Sequence, residues 1–228
     1  MLRLVSDRSV EKPVAARSWT HSADLDDLRF RALVGAEAWS RLPKAVQTRF
    51  AKRLTDQRAA MYAGEIIETR MNPLGWLLAQ ATRLIGAPLP LTRDADVPAT
   101  VTITEDGPSK GQYWTRVYGR HHGFPQVIHS SKRFRGPTGL EEYIGRGVGM
   151  ALTVHADDYA IRFRSDHYFM QLLGLRLRLP KWLSPGTVTV SHIDFGPDQF
   201  AFVLDLHHPL FGELVHQRGI FRDTVFEE

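Results

Sequence analysis

The chain has no cysteine among its 228 residues. Disulfides, thiolate metal centres and cysteine nucleophiles are thereby excluded, and a reducing, cytoplasmic setting is the expectation. Long apolar runs are missing too. The greasiest stretch, residues 74–85, is interrupted by Gln80, Thr82 and Arg83 and falls short of the ~20 residues that span a bilayer. The opening MLRLVSDRSVEKP carries Asp7, Arg8, Glu11 and Lys12 ahead of any apolar stretch, unlike a secretory signal. No glycine-rich dinucleotide loop follows a strand, no serine sits in a G-x-S-x-G elbow, and no histidine pair has the H-E-x-x-H spacing of zinc hydrolases. Charge of one sign is in short supply: 29 Lys and Arg against 25 Asp and Glu give a net charge of +4. So small a surplus, spread over both signs, argues against nucleic acid as a partner.

What is present divides near Pro90. Residues 1–22 lack periodicity and read as an N-terminal arm. Residues 23–90 read as a helical segment packing on a sheet. In DLDDLRFRALVGAEAW, Asp24, Asp26 and Asp27 precede the apolar positions and suit the positive end of a short helix. In LPKAVQTRFAKRL, Pro43 fits a first turn, and Val46, Phe50 and Leu54 recur every four residues. In MNPLGWLLAQATRLIGAPLP, Asn72 can cap, Pro73 fits the first turn, Leu74 to Ile85 supply an apolar face, and Gly86 ends the helix. A helix of this kind covers a sheet or the open end of a barrel.

After Pro90 the period changes to two. Nine stretches, from ATVTITED to ELVHQRGIF, alternate β-branched and aromatic residues with polar ones and are divided by turn formers such as EDGPSKG and FGPDQ. The expected fold class is therefore α+β and mostly antiparallel β. N-terminal helices precede a strongly curved or closed meander of about eight or nine strands over residues 91–228, forming one structural domain with 23–90. A sheet of that size tends to close on itself, which removes exposed edges and can enclose a ligand.

One family pattern runs through these stretches: GAPLP followed by DVPATVTI, WTRVYG with Trp114 and Arg116, EEYIG with Glu142 and Gly145, RLPKWLSP, and HPLFGELVHQRGIF with Pro209, Gly212 and Gly219. In this order the chain resembles, over about Phe30 to Phe221, a bacterial domain-of-unknown-function family numbered 4166. That domain is sometimes found downstream of saccharopine-dehydrogenase-like reductases. The resemblance implies a free-standing counterpart of the downstream domain and a reductase-type protein as a partner, but no mechanism. Gln217 stands before Arg218 where the family usually carries an aromatic residue.

The candidate site follows from strand parity. Trp114, Arg116 and Tyr118 share one face of their strand, and Val188, Val190, His192 and Asp194 share one face of another. If both faces line one cavity, Arg116 can hold an anionic or carbonyl oxygen while His192, oriented by Asp194 or Glu142, moves a proton. Trp114, Tyr118, His129, Trp182, Phe202 and His208 are the expected ligand-binding residues. Ten histidines invite a metal, and His129, His192, His208 and His216 can converge from neighbouring strands, yet no spacing demands one, so neither metal nor cofactor is expected. SSKRFRG, residues 130–136, reads as a solvated strand edge guarded by charge. LGLRLRLPKWLSPG, residues 173–186, reads as a strand with leucines buried on one side and arginines wet on the other, running into a stiff turn with Trp182 as a lid.

The function expected from these features is binding of a hydrophobic or amphipathic small molecule in a pocket of the curved sheet. A cofactor-free isomerase, cyclase or dehydratase using the same pocket is the alternative, and an accessory module for a reductase or a membrane surface is another, with the membrane given the smallest share.

Overall fold

The computed structural model describes residues 27–54, 58–196 and 198–223. The expected arm over 1–22 lies outside them, as do Asp24 and Asp26. Three short helices come first: α1 (Arg29–Val34), α2 (Ala36–Arg41) and α3 (Lys44–Phe50). The first expected helix is thus two, parted at Gly35, whose φ of 85° no helix accommodates. Val46 and Phe50 do face inward from α3.

Eleven strands follow, all paired antiparallel: β1 (Ala59–Met71), β2 (Val97–Asp106), β3 (Gly111–Tyr118), β4 (Gln126–Arg133), β5 (Leu140–Gly145), β6 (Val148–Ala156), β7 (Ala160–Leu172), β8 (Leu175–Arg178), β9 (Thr187–Asp194), β10 (Gln199–His208) and β11 (Gly212–Asp223). Their spatial order is β6-β5-β4-β3-β2-β1-β11-β10-β9-β7, and β7 returns to β6, closing a ten-stranded barrel. The eleventh strand, β8, pairs with Phe169–Leu172 at the far end of β7, whereas β9 pairs with Ala160–Arg164 at its near end. Among the described residues no helix is long and apolar enough to cross a membrane.

The sequence reading counts eight or nine strands and begins them after Pro90; β1 and β5 are the two it lacks. β1 lies within the stretch expected to be helical. Ala60, Tyr62 and Ile66 point inward with period two, but a bulge between Ile66 and Glu68 resets the parity, so that Thr69 and Met71 become the buried positions. Without that strand the barrel could not close, since β1 joins β2 to β11. β5 is only six residues long, with two glutamates among them.

Both barrel ends are covered. At one, Phe30 of α1 packs edge-on against Phe50 of α3 and against Phe163, and Phe50 lies tilted against Phe163. Arg49 of α3, its side chain only 4% exposed, pins that cap through Asp194 at 3.0 Å and Asp223 at 2.9 Å. The other end is crossed by α4 (Pro73–Ala81) and the helical turn Thr82–Ile85. The side chain of Asn72 accepts from the Gly75 amide at 2.7 Å, the expected cap, and Gly86 ends the segment in a left-handed conformation. Gly75 lies so close to β11 that a Cβ there would fall 1.8 Å from the Leu214 carbonyl oxygen. Gly145, with φ at 136°, admits the carbonyl of Ile85 in the same way. These two glycines seat the cover on the barrel.

Candidate functional site

Inward-facing residues of the middle strands fill the barrel near the first cap and leave space toward α4. A cavity of about 270 Å³ is walled by Leu78 and Ile85 from the cover, Met150 and Tyr168 from β6 and β7, and Val188 and Leu206 from β9 and β10, among others. A second, of about 50 Å³, lies between Trp114, Tyr118, Phe202 and Phe221. Arg116, Val190 and Leu204 line both.

Where the two spaces meet, three charged side chains face one another. Lys132 of β4 lies opposite Glu142 of β5, Nζ 3.0 Å from Oε1, and both are buried. Arg116 of β3 donates to Ser130 Oγ at 2.9 Å and lies 3.8 Å from the same Glu142 oxygen. Its Nε is buried without an acceptor among the described residues. Burial works to raise the Glu142 pKa, but Lys132 and Arg116 overcome it and hold the carboxyl below its usual range. Burial pulls Lys132 down, with Arg116 adding and Glu142 opposing. Tyr168 faces this group; its hydroxyl has no hydrogen-bond partner among the described residues, and burial pushes its pKa to about 12. One carboxylate thus answers two cationic groups in a chamber whose other walls are mostly apolar.

Arg116 and Glu142 come together here, beside Trp114, Tyr118 and Phe202. His192 and Asp194 do not join them. His192 lies behind Trp114 and Phe202, in the cap-side packing with Arg49 and Phe50, stacked on Phe200 at 4.4 Å and edge-on to Phe50 and Phe202. Neither ring nitrogen has a hydrogen-bond partner among the described residues, and burial, seconded by the Arg49 charge, lowers its pKa to about 3. Asp194 is engaged by Arg49. Parity placed both on the inner face of β9, but distance along the barrel axis separates them from Arg116.

The remaining expected residues lie elsewhere. His129 is exposed on the outer face of β4, 3.2 Å from Thr115 Oγ1. His208 stacks on Phe211 at the β10–β11 turn. Trp182 is 80% exposed and lines neither cavity. The four histidines offered for a metal do not converge. Asp205, Glu213 and His216 do bring ligand atoms within 4.8 Å of one another, but His216 is hydrogen-bonded to Asp205 and Arg70 neutralises Glu213, an ion-pair arrangement on the outer surface.

Sequence reasoning missed Lys132, which the solvated-edge reading of residues 130–136 sends outward. Ile128, Ser130 and Lys132 are all buried on one face of β4, whereas Val127, His129 and Arg133 lie on the other, with Arg133 Nε 3.1 Å from Asp106. Parity with Ile128 and Phe134 was the available signal.

Residues 42–221 match the model of a family described as a domain of unknown function, DUF4166, within the span from Phe30 to Phe221 that the motifs suggest. No curated protein and no solved structure matches the chain.

Proposed function

The chain belongs to the DUF4166 family, whose description names no activity, and we propose that its barrel binds an amphipathic small molecule, apolar body in the larger cavity and anionic or carbonyl head at Arg116. The observation that carries this is the state of Arg116. A guanidinium is permanently charged, its nearest carboxylate is already bonded by Lys132 at 3.0 Å, and its Nε is buried with nothing to donate to. An unpaired buried donor on a cation is costly, and a ligand oxygen would relieve it. The apolar lining from Leu78 to Leu206 suits a hydrocarbon body, and the cover formed by α4 supplies one wall that a ligand could displace on entry. A cytoplasmic setting, argued from the missing cysteine, and a reductase-type protein partner, argued from the family resemblance, belong to the same reading.

The test is titration with a dansyl-labelled undecanoic acid, competed by unlabelled decanoic acid and by decanol. Saturable binding with a blue-shifted emission is expected. Arg116→Gln should weaken the acid about tenfold or more, the worth of one charged hydrogen bond, and leave the alcohol nearly unchanged. Absence of saturable binding by the parent protein, or indifference of the acid to Arg116→Gln, overturns the reading.

A further inference from the structure

The β7–β8 hairpin projects past the barrel, and its apolar side is bare. Met170, Leu172, Leu175 and Leu177 lie on one face, with Met170 paired to Leu177 and Leu172 to Leu175; all four are exposed. The same parity continues inward to Tyr168 and Leu179, which line the larger cavity. The opposite face holds the arginines: Arg176 reaches Glu141 at 2.6 Å and covers Phe169, and Arg178 lies 3.9 Å from Asp166. The expected burial of the leucine face is therefore corrected: the arginine face is wet as expected, ion-paired along the barrel's outer wall, but Leu175 and Leu177 are exposed as well and carry the parity of the cavity wall into solvent.

The tip sharpens the point. Leu173 and Gly174 form a two-residue turn with φ of 50° and 81°, a conformation that favours Asn-Gly or Asp-Gly. A leucine in the left-handed region is strained, and this one is 94% exposed. Nothing in the fold is gained by it. Beside the hairpin, Trp182 and Leu183 stand out from the following turn, and Leu77 and Leu84 from the cover. Leu183 shares the cavity wall with Leu78 and Ile85, the chain neighbours of Leu77 and Leu84, which sets these exposed groups beside that cavity.

Charge distinguishes among possible occupants. Residues 72–91, 144–148 and 168–187 contain Arg83, Arg146, Arg176, Arg178 and Lys181 and no aspartate or glutamate; Arg176 and Arg178 are matched by Glu141 and Asp166 outside these stretches, so the basic surplus of the rim rests on Arg83, Arg146 and Lys181. Apolar side chains on separate protruding tips, interspersed with cations, match the interface of an anionic bilayer: the tips enter the acyl boundary while the basic groups meet the headgroups. Tryptophan is suited to that depth.

We propose that this rim docks the protein on an anionic phospholipid membrane, with the Leu173 tip and Trp182 inserted and the cavity mouth facing the lipid. The sequence reading gives a membrane the smallest share because it counts these leucines as core. The inference stands on the exposed rim alone and does not require the cavity ligand proposed above.

The experiment is flotation of the full chain with vesicles of phosphatidylglycerol and phosphatidylcholine in equal parts, against vesicles of phosphatidylcholine alone. Flotation with the anionic vesicles, weakened by salt, is expected, and brominated phosphatidylglycerol should quench the emission that Trp182→Phe removes. Leu173→Asn with Trp182→Ser should cut partition about tenfold or more while the melting temperature holds, because asparagine tolerates the turn and Trp182 touches little. Arg83→Glu with Lys181→Glu should abolish the preference for anionic lipid. No flotation with anionic vesicles at low salt overturns the proposal, as does undiminished flotation of the Leu173→Asn, Trp182→Ser variant. Self-association through the rim in light scattering without vesicle binding would assign the surface to a second copy of the chain instead.

Discussion

Lys132 and Glu142 face each other across β4 and β5 inside a closed barrel, 3.0 Å apart and nearly sealed from water. Their pairing is unequal because Arg116 makes a second claim on the same carboxylate oxygen. Removing Glu142 leaves two buried cations facing each other; removing Lys132 leaves Arg116 still matched to Glu142. Glu142→Gln should therefore cost about 3 kcal/mol or more, and Lys132→Met about 1 kcal/mol or less, since methionine keeps the apolar stem. Urea unfolding of the two variants measures both. Equal losses would mean that the cluster does not behave as a triad.

His192 makes stability depend on pH in a particular window. Its pKa is lowered to about 3 in the folded chain, from about 6.5 when unfolded. The unfolded chain therefore takes up a proton that the folded chain refuses. The contribution is fully present above pH 6.5 and is lost as the pH falls toward 3, at up to about 1.4 kcal/mol per pH unit. Asp106, held at about 2 by Ser109, Ser131 and other neighbours against the effect of burial, adds its own loss only below about pH 4. Between pH 6.5 and 5.5, above the range in which Glu141, Glu142 and Asp223, all held below their usual values, begin to add losses of their own, the slope should vanish in His192→Leu, which also removes two unsatisfied ring nitrogens at nearly constant volume. Urea midpoints across that range would show it, and a variant with the parent's slope would refute the assignment.

Closure of the barrel was legible because nine stretches alternate with period two and a large antiparallel sheet has few other ways to manage its edges. The bulge after Ile66 concealed β1, since two half-strands of opposite parity cancel in any simple pattern. The site was legible by halves. Parity put Arg116 with Trp114 and Tyr118, and the family motif pointed to Glu142, but alternation states which residues share a face and not how far along the axis each lies. His192 and Arg116 are both inward and still belong to different compartments, divided by Trp114 and Phe202. Leu175 and Leu177 show the complementary failure: an apolar face ordinarily finds a partner within the fold, and here the strand runs beyond the barrel before it does.

The cover over the cavity is seated by contacts that tolerate no added atom. A Cβ at Gly75 would lie 1.8 Å from the Leu214 carbonyl oxygen, and one at Gly145 would lie 2.0 Å from that of Ile85. Gly75→Ala should shift α4 off β11 and cost about 1 to 3 kcal/mol, more than the ~1 kcal/mol expected for losing the cap in Asn72→Ala. Hydrogen exchange should quicken within residues 72–86 while β2 to β4 stay protected. Uniformly faster exchange over the barrel would instead mean that the cover and the sheet unfold as one unit.

Val190 offers a test of whether the interior space itself is used. It lines both cavities, alongside Arg116 and Leu204, and a larger side chain there would project into volume that is open. In a fully packed core, Val→Phe would force neighbours from their rotamers at about 1 to 3 kcal/mol. Here Val190→Phe should leave the melting temperature within a few degrees of the parent, because about 270 Å³ lies in front of it. The same variant should lose most of its affinity for the dansyl-labelled acid while Arg116 and Glu142 stay in place. Retained affinity would place the probe on the outside of the barrel, and a collapse in stability would mean that the space is filled in solution by movement of Leu204 or Tyr168.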